Sequence, residues 1–291
     1  LRYDYEHARC DFSKVQQPLN GNGETKSLEQ FNRSLHFGQF TPRFSMQYLS
    51  SHNQLFYASV SKGYKAGGFN VSFLNNDDYL YSPEYNWNYE IGTKLSFLNN
   101  RLSADLSLFY IDWRNQQITN TIPTVGNVIR NAGRSRNKGI EASFQARPTK
   151  SWMMYMNYGY TDARFVHYQK EERGILKDYE GNYLPMVPRH TFSLTTGYSF
   201  YDICSWIDRL TLNAGVSVTG PIYWYEDNQA KQSPYALVNL RISINKGCFT
   251  WEAWSKNLTN TDYLSYYFVT SKAYAQKGKP ITLGTSVSIS L

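Results

Sequence analysis

The sequence lacks any long apolar run. Its 291 residues have a mean hydropathy of -0.54, and no stretch reaches the roughly 18 consecutive apolar residues that a transmembrane helix requires. A helical membrane span is therefore excluded. The chain also opens at Leu1 directly into strand-like sequence, with no charged segment followed by an apolar one, so no signal peptide is recognised. We expect the chain to be mature, or a fragment of a longer protein.

Residues that commonly carry chemistry are scarce. Cys10, Cys204 and Cys248 stand far apart with no Cys-x-x-Cys spacing, which excludes a disulfide framework and a cysteine metal site. The five histidines are dispersed, and none forms a His-x-x-x-His pair, although His167 and His190 flank one predicted loop. Gly-x-Ser-x-Gly, phosphate-loop and dinucleotide-binding motifs are missing as well. We therefore expect no catalytic residue, no metal site and no enzyme.

Aromatic residues, in contrast, are abundant. They make up 16% of the chain, with 25 Tyr, 16 Phe and 7 Trp, and a disordered chain would be poor in them. The formal net charge is +7. We attribute this charge to a solvated lumen and loops, and a sharper interpretation is weak attraction for anionic ligands or lipopolysaccharide phosphates. No basic run or known motif indicates nucleic-acid binding.

Alternation of apolar and small polar residues is the main structural signal. Apolar residues recur at every second position in 281–291, with Ser or Thr between most of them, and the same pattern occupies 102–110, 192–200, 210–218 and 238–244. Strands of this kind could present one face to lipid and the other to a wet lumen. A soluble β-sandwich alternates too, with its apolar face inward, so alternation alone leaves both folds open.

The lengths of the strands and of the connections separate these two folds. Segments 37–48, 55–69, 152–165 and 210–225 each exceed the roughly 9–11 residues that cross a bilayer, whereas sandwich strands are usually shorter. Short and long connections alternate along the chain, as they do between the two rims of transmembrane barrels. The predicted short connections are 50–53, 98–100, 148–151, 202–208 and 245–247. The predicted long connections are 11–34, 70–84, 119–127, 166–188, 226–234 and 260–279.

The predicted fold class is thus all-β: an antiparallel transmembrane β-barrel with about twelve strands in residues 1–291, short turns at the periplasmic rim and long loops outside. Aromatic residues cluster where these strands meet the loops, a position that favours a girdle at the membrane interface. They include Tyr79, Tyr81, Tyr85, Trp87, Tyr155, Tyr158, Tyr160, Tyr223, Trp224, Tyr225, Tyr263, Tyr266 and Tyr267.

Several segments resemble one family when they are read in order. A strand runs into a glycine-rich loop, a Pro-Glu precedes Tyr-Glu-Ile-Gly-x-Lys, and an Asn-Ala-Gly precedes Gly-x-Glu. The matching segments are Phe56–Asn70, Tyr81–Glu84, Asn88–Lys94, Leu108–Ile118, Asn131–Gly133, Gly139–Glu141, Asn157–Ala163, Pro188–His190 and Lys256–Asn260. Each is weak alone, but the ordered set from about residue 40 to residue 291 is similar to TonB-dependent outer-membrane receptors of the siderophore-receptor kind.

The resemblance has consequences for the organisation of the protein. The family barrel has 22 strands around a plug, so residues 1–291 would be the C-terminal portion of the barrel. The plug domain, the TonB box and the N-terminal strands would be absent from it. The family usually ends on an aromatic residue, whereas this chain ends at Leu291.

The resemblance also implies a function in the bacterial outer membrane. The protein would take up an iron–siderophore or similar scarce nutrient complex, energised by the TonB–ExbB–ExbD complex through the plug. No covalently bound cofactor is implied, and the transported ligand would be a ferric siderophore. Outer-membrane lipid and lipopolysaccharide would surround the wall. The ligand-binding candidates, chosen for their position at the outer rim and for a ring or a charge, are Tyr64, Lys65, Phe69, Tyr81, Arg130, Tyr183, Tyr223 and Trp224.

Two alternatives from other classes stay open at this point. One is a self-contained twelve-stranded barrel, either a passive channel or the translocator of an autotransporter. The other is a twelve-stranded outer-membrane lipase, which would need a Ser/His/acid or paired-acid site on the rim. The ordered receptor-like segments count against both.

Overall fold

The computed structural model describes residues 1–16, 26–51, 54–73, 78–122, 125–131, 133–172, 175–269 and 272–290. Its named elements are all β-strands, and the paired strands are antiparallel throughout. Within these ranges, no helix has the length and apolarity needed to cross a membrane.

Most of the strands form one curved wall. The wall strands are β1 (Arg2–Gln16), β2 (Lys26–Thr41), β3 (Arg43–Leu49), β4 (Leu55–Lys65), β7 (Glu84–Phe97), β8 (Leu102–Arg114), β11 (Arg134–Ala146), β12 (Trp152–His167), β15 (His190–Cys204), β16 (Ile207–Thr219), β19 (Tyr235–Lys246), β20 (Phe249–Lys256) and β23 (Thr282–Ile289).

Eleven of these strands pair in the order β3-β4-β7-β8-β11-β12-β15-β16-β19-β20-β23. Strands β2 and β3 follow one another across Pro42, with β2 pairing to β1 and β3 to β4, so we count them as one wall strand. The wall then has twelve strands, which confirms the predicted fold class and the predicted number. In the part of the chain that the structure describes, the terminal strands of this wall, β1 and β23, do not pair with each other. The closed twelve-stranded barrel of the alternative interpretation is therefore not formed.

The register brings the apolar positions of neighbouring strands side by side. One row of directly paired residues runs through Ala58, Ile91, Leu108 and Ile140. Residues that face each other in an antiparallel ladder project from the same side of the sheet. One face, called the outward face from here on, is therefore apolar across neighbouring strands. The opposite face carries polar residues and is called the inward face.

The apolar face is exposed rather than packed. Met46 is 64% exposed, Leu108 43% and Val287 67%. The buried apolar residues lie at one rim of the wall, apart from Ala146; they are Tyr79, Val128, Ala163, Phe165, Tyr168, Tyr179, Leu184 and Trp224. A β-sandwich would bury its apolar face in an internal core. An apolar face of this extent left open is the surface of a membrane protein.

The connections at the two ends of the wall differ as predicted. The predicted short turns at 98–100, 148–151 and 245–247 join consecutive wall strands. The first of them places Leu98, Asn99 and Asn100 in the left-handed region, with φ of 51°, 55° and 64°. Asn tolerates that conformation better than most residues because its short side chain can hydrogen-bond locally.

The opposite end, called the outer rim, has long connections that are built as small antiparallel ladders. The ladder strands are β5 (Gly68–Phe69), β6 (Leu80–Tyr81), β9 (Gln117–Ile122), β10 (Gly126–Asn131), β13 (Gln169–Glu172), β14 (Ile175–Asp178), β17 (Ile222–Tyr223), β18 (Lys231–Gln232), β21 (Leu264–Val269) and β22 (Ala273–Lys277). The sequence predicted most of these ladder residues as loop. Gly68–Phe69 and Ile222–Tyr223 were predicted instead as the ends of the strands 55–69 and 210–225, but in the structure those wall strands end at Lys65 and Thr219.

The predicted loop at 11–34 is wrong for most of its length. Strands β1 and β2 continue through it as one ladder, from the Arg2–Thr41 pair to the Gln16–Lys26 pair. Residues 17–25 lie outside the described residues. Both strands extend past the level at which lipid would impose an apolar face, so the alternating pattern fades there although backbone pairing persists.

Candidate functional site

The eight predicted ligand-binding residues all lie at the outer rim, in two groups. The first group belongs to the outer end of β4 and to the connections β4–β7 and β8–β11, and contains Tyr64, Lys65, Phe69, Tyr81 and Arg130. The second belongs to the connections β12–β15 and β16–β19, and contains Tyr183, Tyr223 and Trp224. Ile118 of β9 packs against a small core that includes Phe165 and Leu184. An apolar contact therefore joins the two sets of connections.

The connections β4–β7 and β8–β11 are tied together by buried polar contacts. Arg130 donates two hydrogen bonds to the carboxylate of Asp78, at 2.6 and 2.7 Å, and that carboxylate is only 7% exposed. The Asn70 side chain donates to the carbonyls of Asp78 and Ile129, each at 2.7 Å, and accepts from the Ile129 amide at 2.8 Å. Val128 beside them is fully buried. The charge of Arg130 is thus used to hold two connections in one unit.

A second set of hydrogen bonds, made by Gln117, joins the same two connections nearer to the wall. The Gln117 side chain donates to the carbonyls of Ala66 and Ser82, at 2.7 and 3.1 Å. The Gln117 amide donates to the buried carboxylate of Glu84. Lys65 is 3.9 Å from Glu84, with its side chain 64% exposed. Lys65 is therefore the member of the first group that presents an accessible charge.

Stacked rings and amide bonds hold the second group. The rings of Tyr183 and Tyr223 lie 5.5 Å apart and nearly parallel, at 6°. The Asn228 side chain accepts from the Tyr183 amide at 2.7 Å and donates to the Tyr183 carbonyl at 2.9 Å. Trp224 is 5% exposed, with its ring 6.4 Å from Tyr267. Trp224 therefore stabilises the packing of this group and offers little surface to a ligand.

The register decides which way two of the predicted residues point. Tyr64 pairs with Tyr85 and belongs to the same alternate positions as Val60, so it lies on the outward face. Tyr183 forms an isolated bridge with Arg164, and the Arg164 guanidinium lies 3.9 Å from the Tyr183 ring centre. Because Arg164 shares the outward face with Tyr160, Tyr183 projects outward as well. Lys65, by contrast, lies among the inward positions of β4.

A strip of inward polar atoms at the same level was missed by the sequence analysis. Asn88 pairs with Ile111, which pairs with Asn137, and one step further out Trp113 pairs with Ser135. Among the described residues, Asn88 Oδ1, Trp113 Nε1, Ser135 Oγ and Asn137 Oδ1 are buried without a hydrogen-bond partner. Groups of this kind are costly to leave unpaired, and several of them together indicate a site for a polar ligand or ordered water. The four residues are called the inward polar strip below.

Hydrogen bonds at the outer rim shift the pKa of two side chains, Arg189 and Asp178. Arg189 lies just before β15, with its guanidinium 3.5 Å from the Tyr160 hydroxyl, and this hydrogen bond raises the arginine pKa. In the hairpin β13–β14, the Glu180 amide and the Gln169 side chain both donate to Asp178, which lowers the pKa of that carboxyl. Within the described ranges, no group of three His, Cys, Asp or Glu residues could hold a metal ion.

Comparison with known proteins decides the family. The model of the family described as "TonB dependent receptor-like, beta-barrel" matches residues 1–260. The chain belongs to this family. Its wall is therefore part of an outer-membrane β-barrel, with the short turns at the periplasmic rim and the outer rim at the cell surface.

Curated relatives within this TonB-dependent receptor family match only part of their own length. A probable TonB-dependent siderophore receptor, PiuA, of Acinetobacter baumannii is 26% identical over 241 residues, covering 77% of this chain and 30% of the relative. The pesticin receptor of Yersinia pestis is 26% identical over 262 residues, covering 86% of this chain and 36% of the relative. The chain thus spans about a third of the length of the curated relatives it matches.

A solved structure gives the same fold. The ferric yersiniabactin uptake receptor FyuA from Yersinia pestis superposes with a TM-score of 0.76 at 22% identity, covering 99% of this chain and 42% of that structure. At this identity the likeness establishes the fold of the wall alone. The positions of the individual rim side chains rest on the geometry described above.

Proposed function

We propose that the chain is the C-terminal portion of an outer-membrane receptor that takes up an iron–siderophore or similar nutrient complex. The observation that carries the proposal is the family match over 1–260, together with a probable siderophore-receptor relative that aligns along 77% of the chain. In this proposal a plug and further strands complete the barrel, and TonB with ExbB and ExbD supplies the energy through the plug. Outer-membrane lipid and lipopolysaccharide contact the outward face. The protein acts in transport rather than as an enzyme, and no resident cofactor takes part.

The ligand in this proposal meets the inward side of the outer rim. The inward polar strip offers the indole N–H of Trp113 and the amide oxygens of Asn88 and Asn137, and Lys65 supplies an accessible positive charge beside it. Iron complexes of siderophores present oxygen-rich surfaces, which can accept from the Trp113 N–H and attract the Lys65 cation. The amide oxygens of Asn88 and Asn137 would instead accept from N–H or O–H groups of the ligand. Phe69 and Tyr81 are half-buried rings at the same rim and remain candidates for apolar contact. Tyr223 stacks on the outward-pointing Tyr183 ring and therefore lies on the other side. Tyr64 and Tyr183 point outward, and Arg130 and Trp224 contribute by holding the connections in place.

Ligand binding to the full-length receptor tests the proposal. Purified receptor in detergent is titrated with iron-loaded and iron-free catecholate, hydroxamate and phenolate siderophores. We expect one iron-loaded class to bind and its iron-free form to bind much more weakly. The same receptor should support iron-limited growth only when TonB and the proton-motive force are intact. Binding that does not depend on iron would contradict the proposal and point to cobalamin, haem or a glycan.

Two substitutions test the assigned side of the wall. Lys65→Gln removes the inward charge at the outer rim, and Lys150→Gln, in a periplasmic turn, is its matched control. We expect Lys65→Gln to weaken binding about 5–10-fold, because a charge-assisted hydrogen bond contributes about 1–1.5 kcal/mol when it is partly exposed. Lys150→Gln should bind as wild type. Equal binding by all three proteins would remove Lys65 from the site.

A further inference from the structure

A second polar feature lies on the opposite, outward face of the wall at the outer rim. Six cationic side chains cluster there around two carboxylates, and we call them the outward basic patch: Arg114, Arg134, Arg136, Lys138, Arg164 and Arg189. The register assigns the face. Asp112 pairs with Arg136, and Arg136 with Arg164, in the same alternate positions as the apolar Leu108 and Ile140 further down.

The carboxylates account for only part of this charge. Asp112 accepts from Arg114 and Arg134, each at 2.8 Å. Asp162 lies 2.8 Å from Arg164 and 3.8 Å from Lys138. Glu180 lies at the same cleft as Arg164 and Lys138, so six cations stand against three carboxylates, which leaves three positive charges in excess. Ion pairs of the wall with itself therefore do not explain the patch.

Two members of the patch have unused donors. Within the described residues, Arg189 Nε is buried without a hydrogen-bond partner, and no hydrogen bond or ion pair holds the exposed Arg136. Arg136, Lys138 and Arg164 line a cleft of about 240 Å³ that opens to the outside, with Asp162 and Glu180 on its lip. Arg136 lines this cleft, so an anion bound there would accept hydrogen bonds from its free donors. Arg189 lies beside the rings of Tyr160 and Tyr183 rather than in the cleft lining.

The position of the outward basic patch along the strands shows where it lies relative to the membrane. Tyr89 and Tyr110 pair with each other, and Tyr160 projects from the same face one step lower. Tyrosine rings on the lipid-facing side of a barrel mark the membrane interface. Asp112, Arg136 and Arg164 stand one outward position above the Tyr110 row, which is about 7 Å along a strand. The patch therefore lies at the level of the lipid headgroups in the outer leaflet.

We infer that the outward basic patch binds the phosphate groups of an anionic lipid headgroup in the outer leaflet, with Arg136 and Lys138 as direct contacts. This rests on the proposed function only in that it takes the long connections to face the cell surface. Arginine forms bidentate bonds to phosphate, and the Tyr183 ring centre lies 3.9 Å from the Arg164 guanidinium and 4.9 Å from that of Arg189. The site lies on the face opposite to the inward polar strip and is separate from the ligand.

The test is lipid binding by the full-length receptor in detergent. The probes are bisphosphorylated lipid A, the same lipid with its phosphates removed, and inorganic phosphate as a competitor. The variants Arg136→Gln/Lys138→Gln and Lys138→Gln are compared with wild type and with Arg101→Gln, which removes one charge in a periplasmic turn and so matches the single variant. Each basic residue near an anionic lipid surface contributes about fivefold in affinity, so we expect the double variant to bind lipid A about 25-fold more weakly. Arg101→Gln should bind as wild type.

The three probes distinguish binding to the lipid phosphates from binding to the acyl chains and from binding to free phosphate. Loss of affinity on removing the lipid phosphates supports the inference, and equal affinity for both lipids would overturn it, because the apolar wall would then bind the acyl chains alone. Competition by inorganic phosphate at low concentration would also overturn it, since the site would then recognise free phosphate. Unchanged lipid A binding by a folded double variant would also overturn the inference. Lys138→Gln alone, expected to lose about fivefold, serves if the double variant does not fold.

Ferric siderophore binding, measured on the same samples, separates the two proposals. If all lipid results agree with the inference and no siderophore binds, the uptake proposal fails while the lipid site stands. If siderophore binding is intact and all variants bind lipid A equally, the lipid site fails while the uptake proposal stands.

Discussion

The ion pair between Arg130 and Asp78 allows a direct test of how the outer connections are held. Two hydrogen bonds of 2.6 and 2.7 Å join the groups, with the carboxylate 7% exposed and the guanidinium 39% exposed. Removing one partner of a fully buried pair costs about 3–5 kcal/mol, whereas exposed pairs contribute about 0–1 kcal/mol. Since this pair is buried on one side only, we expect Arg130→Gln to destabilise the closed arrangement by about 2 kcal/mol.

Hydrogen exchange at the Ile129 amide is the appropriate measurement. That amide donates to Asn70 Oδ1 at 2.8 Å, and the same Asn70 side chain donates to the Asp78 carbonyl. Opening of the unit therefore exposes the amide. A loss of about 2 kcal/mol corresponds to roughly 30-fold faster exchange at this position. Amides in the membrane-embedded part of β8 and β11 should keep their exchange rates, because the substitution leaves the wall ladders intact.

A double-mutant cycle with Asp78→Asn separates the pair from its surroundings. We expect the double variant to exchange more slowly than the sum of the single effects predicts, with a coupling of about 1–2 kcal/mol. The matched control is Lys94→Gln, which breaks the exposed pair with Asp105 (3.3 Å, 57% and 48% exposed) and should leave Ile129 unaffected. Wild-type exchange at Ile129 in Arg130→Gln, or strictly additive effects in the cycle, would refute the argument.

Three further predictions concern the wall and one hairpin. Leu212→Arg on the outward face should lower the free energy of unfolding in lipid by about 2–4 kcal/mol, while Asn213→Arg on the inward face should have little effect; urea unfolding in vesicles compares the two neighbours. A Cβ at Gly139 would meet the Tyr160 carbonyl and the Phe109 ring, so Gly139→Ala should destabilise the folded barrel by about 1–3 kcal/mol, seen as a lower temperature of unfolding on a heat-modifiability gel. The lowered pKa of Asp178 means that its contribution to hairpin β13–β14 is present above the unfolded pKa of about 4. It is lost as pH falls through the folded value, so exchange of the Glu180 amide should accelerate in acid in wild type and be independent of pH in Asp178→Asn, after correction for intrinsic exchange.

The wall could be predicted from the sequence because lipid imposes a strict condition on it. One side of each strand must be apolar and the other can be polar, which writes a period of two directly into segments such as 210–218. The register observed between Leu212 and Ile242 follows from the same condition, since a shift of one residue would turn the polar face to lipid. The order of strands then follows from short turns between neighbours.

The outer rim could not be predicted to the same depth. Above the lipid neither face has to be apolar, so the outer parts of β1 and β2 carry no clear alternation, and the prediction of a loop at 11–34 is wrong there. The direction of Tyr183 depends on its bridge with Arg164, a contact between residues 19 positions apart that no local pattern reveals. Ser135 and Asn137 look in the sequence like any other inward residues. Only the packing of the connections above them leaves their polar atoms buried without partners.

Strand β12 extends beyond the start of β15 at the outer rim, and there it pairs with its own following connection. Ladder pairing between β12 and β15 ends at the Tyr160–His190 pair, and above it the connection itself takes the place of a strand. Three backbone bonds of 2.9–3.0 Å tie residues 181–184 to Ala163 and Phe165. Breaking them costs about 3 kcal/mol at roughly 1 kcal/mol each, which keeps the opened form at about 1% of molecules or fewer. If the proposed uptake operates, we expect this connection to stay in place while other connections at the outer rim move to admit the ligand.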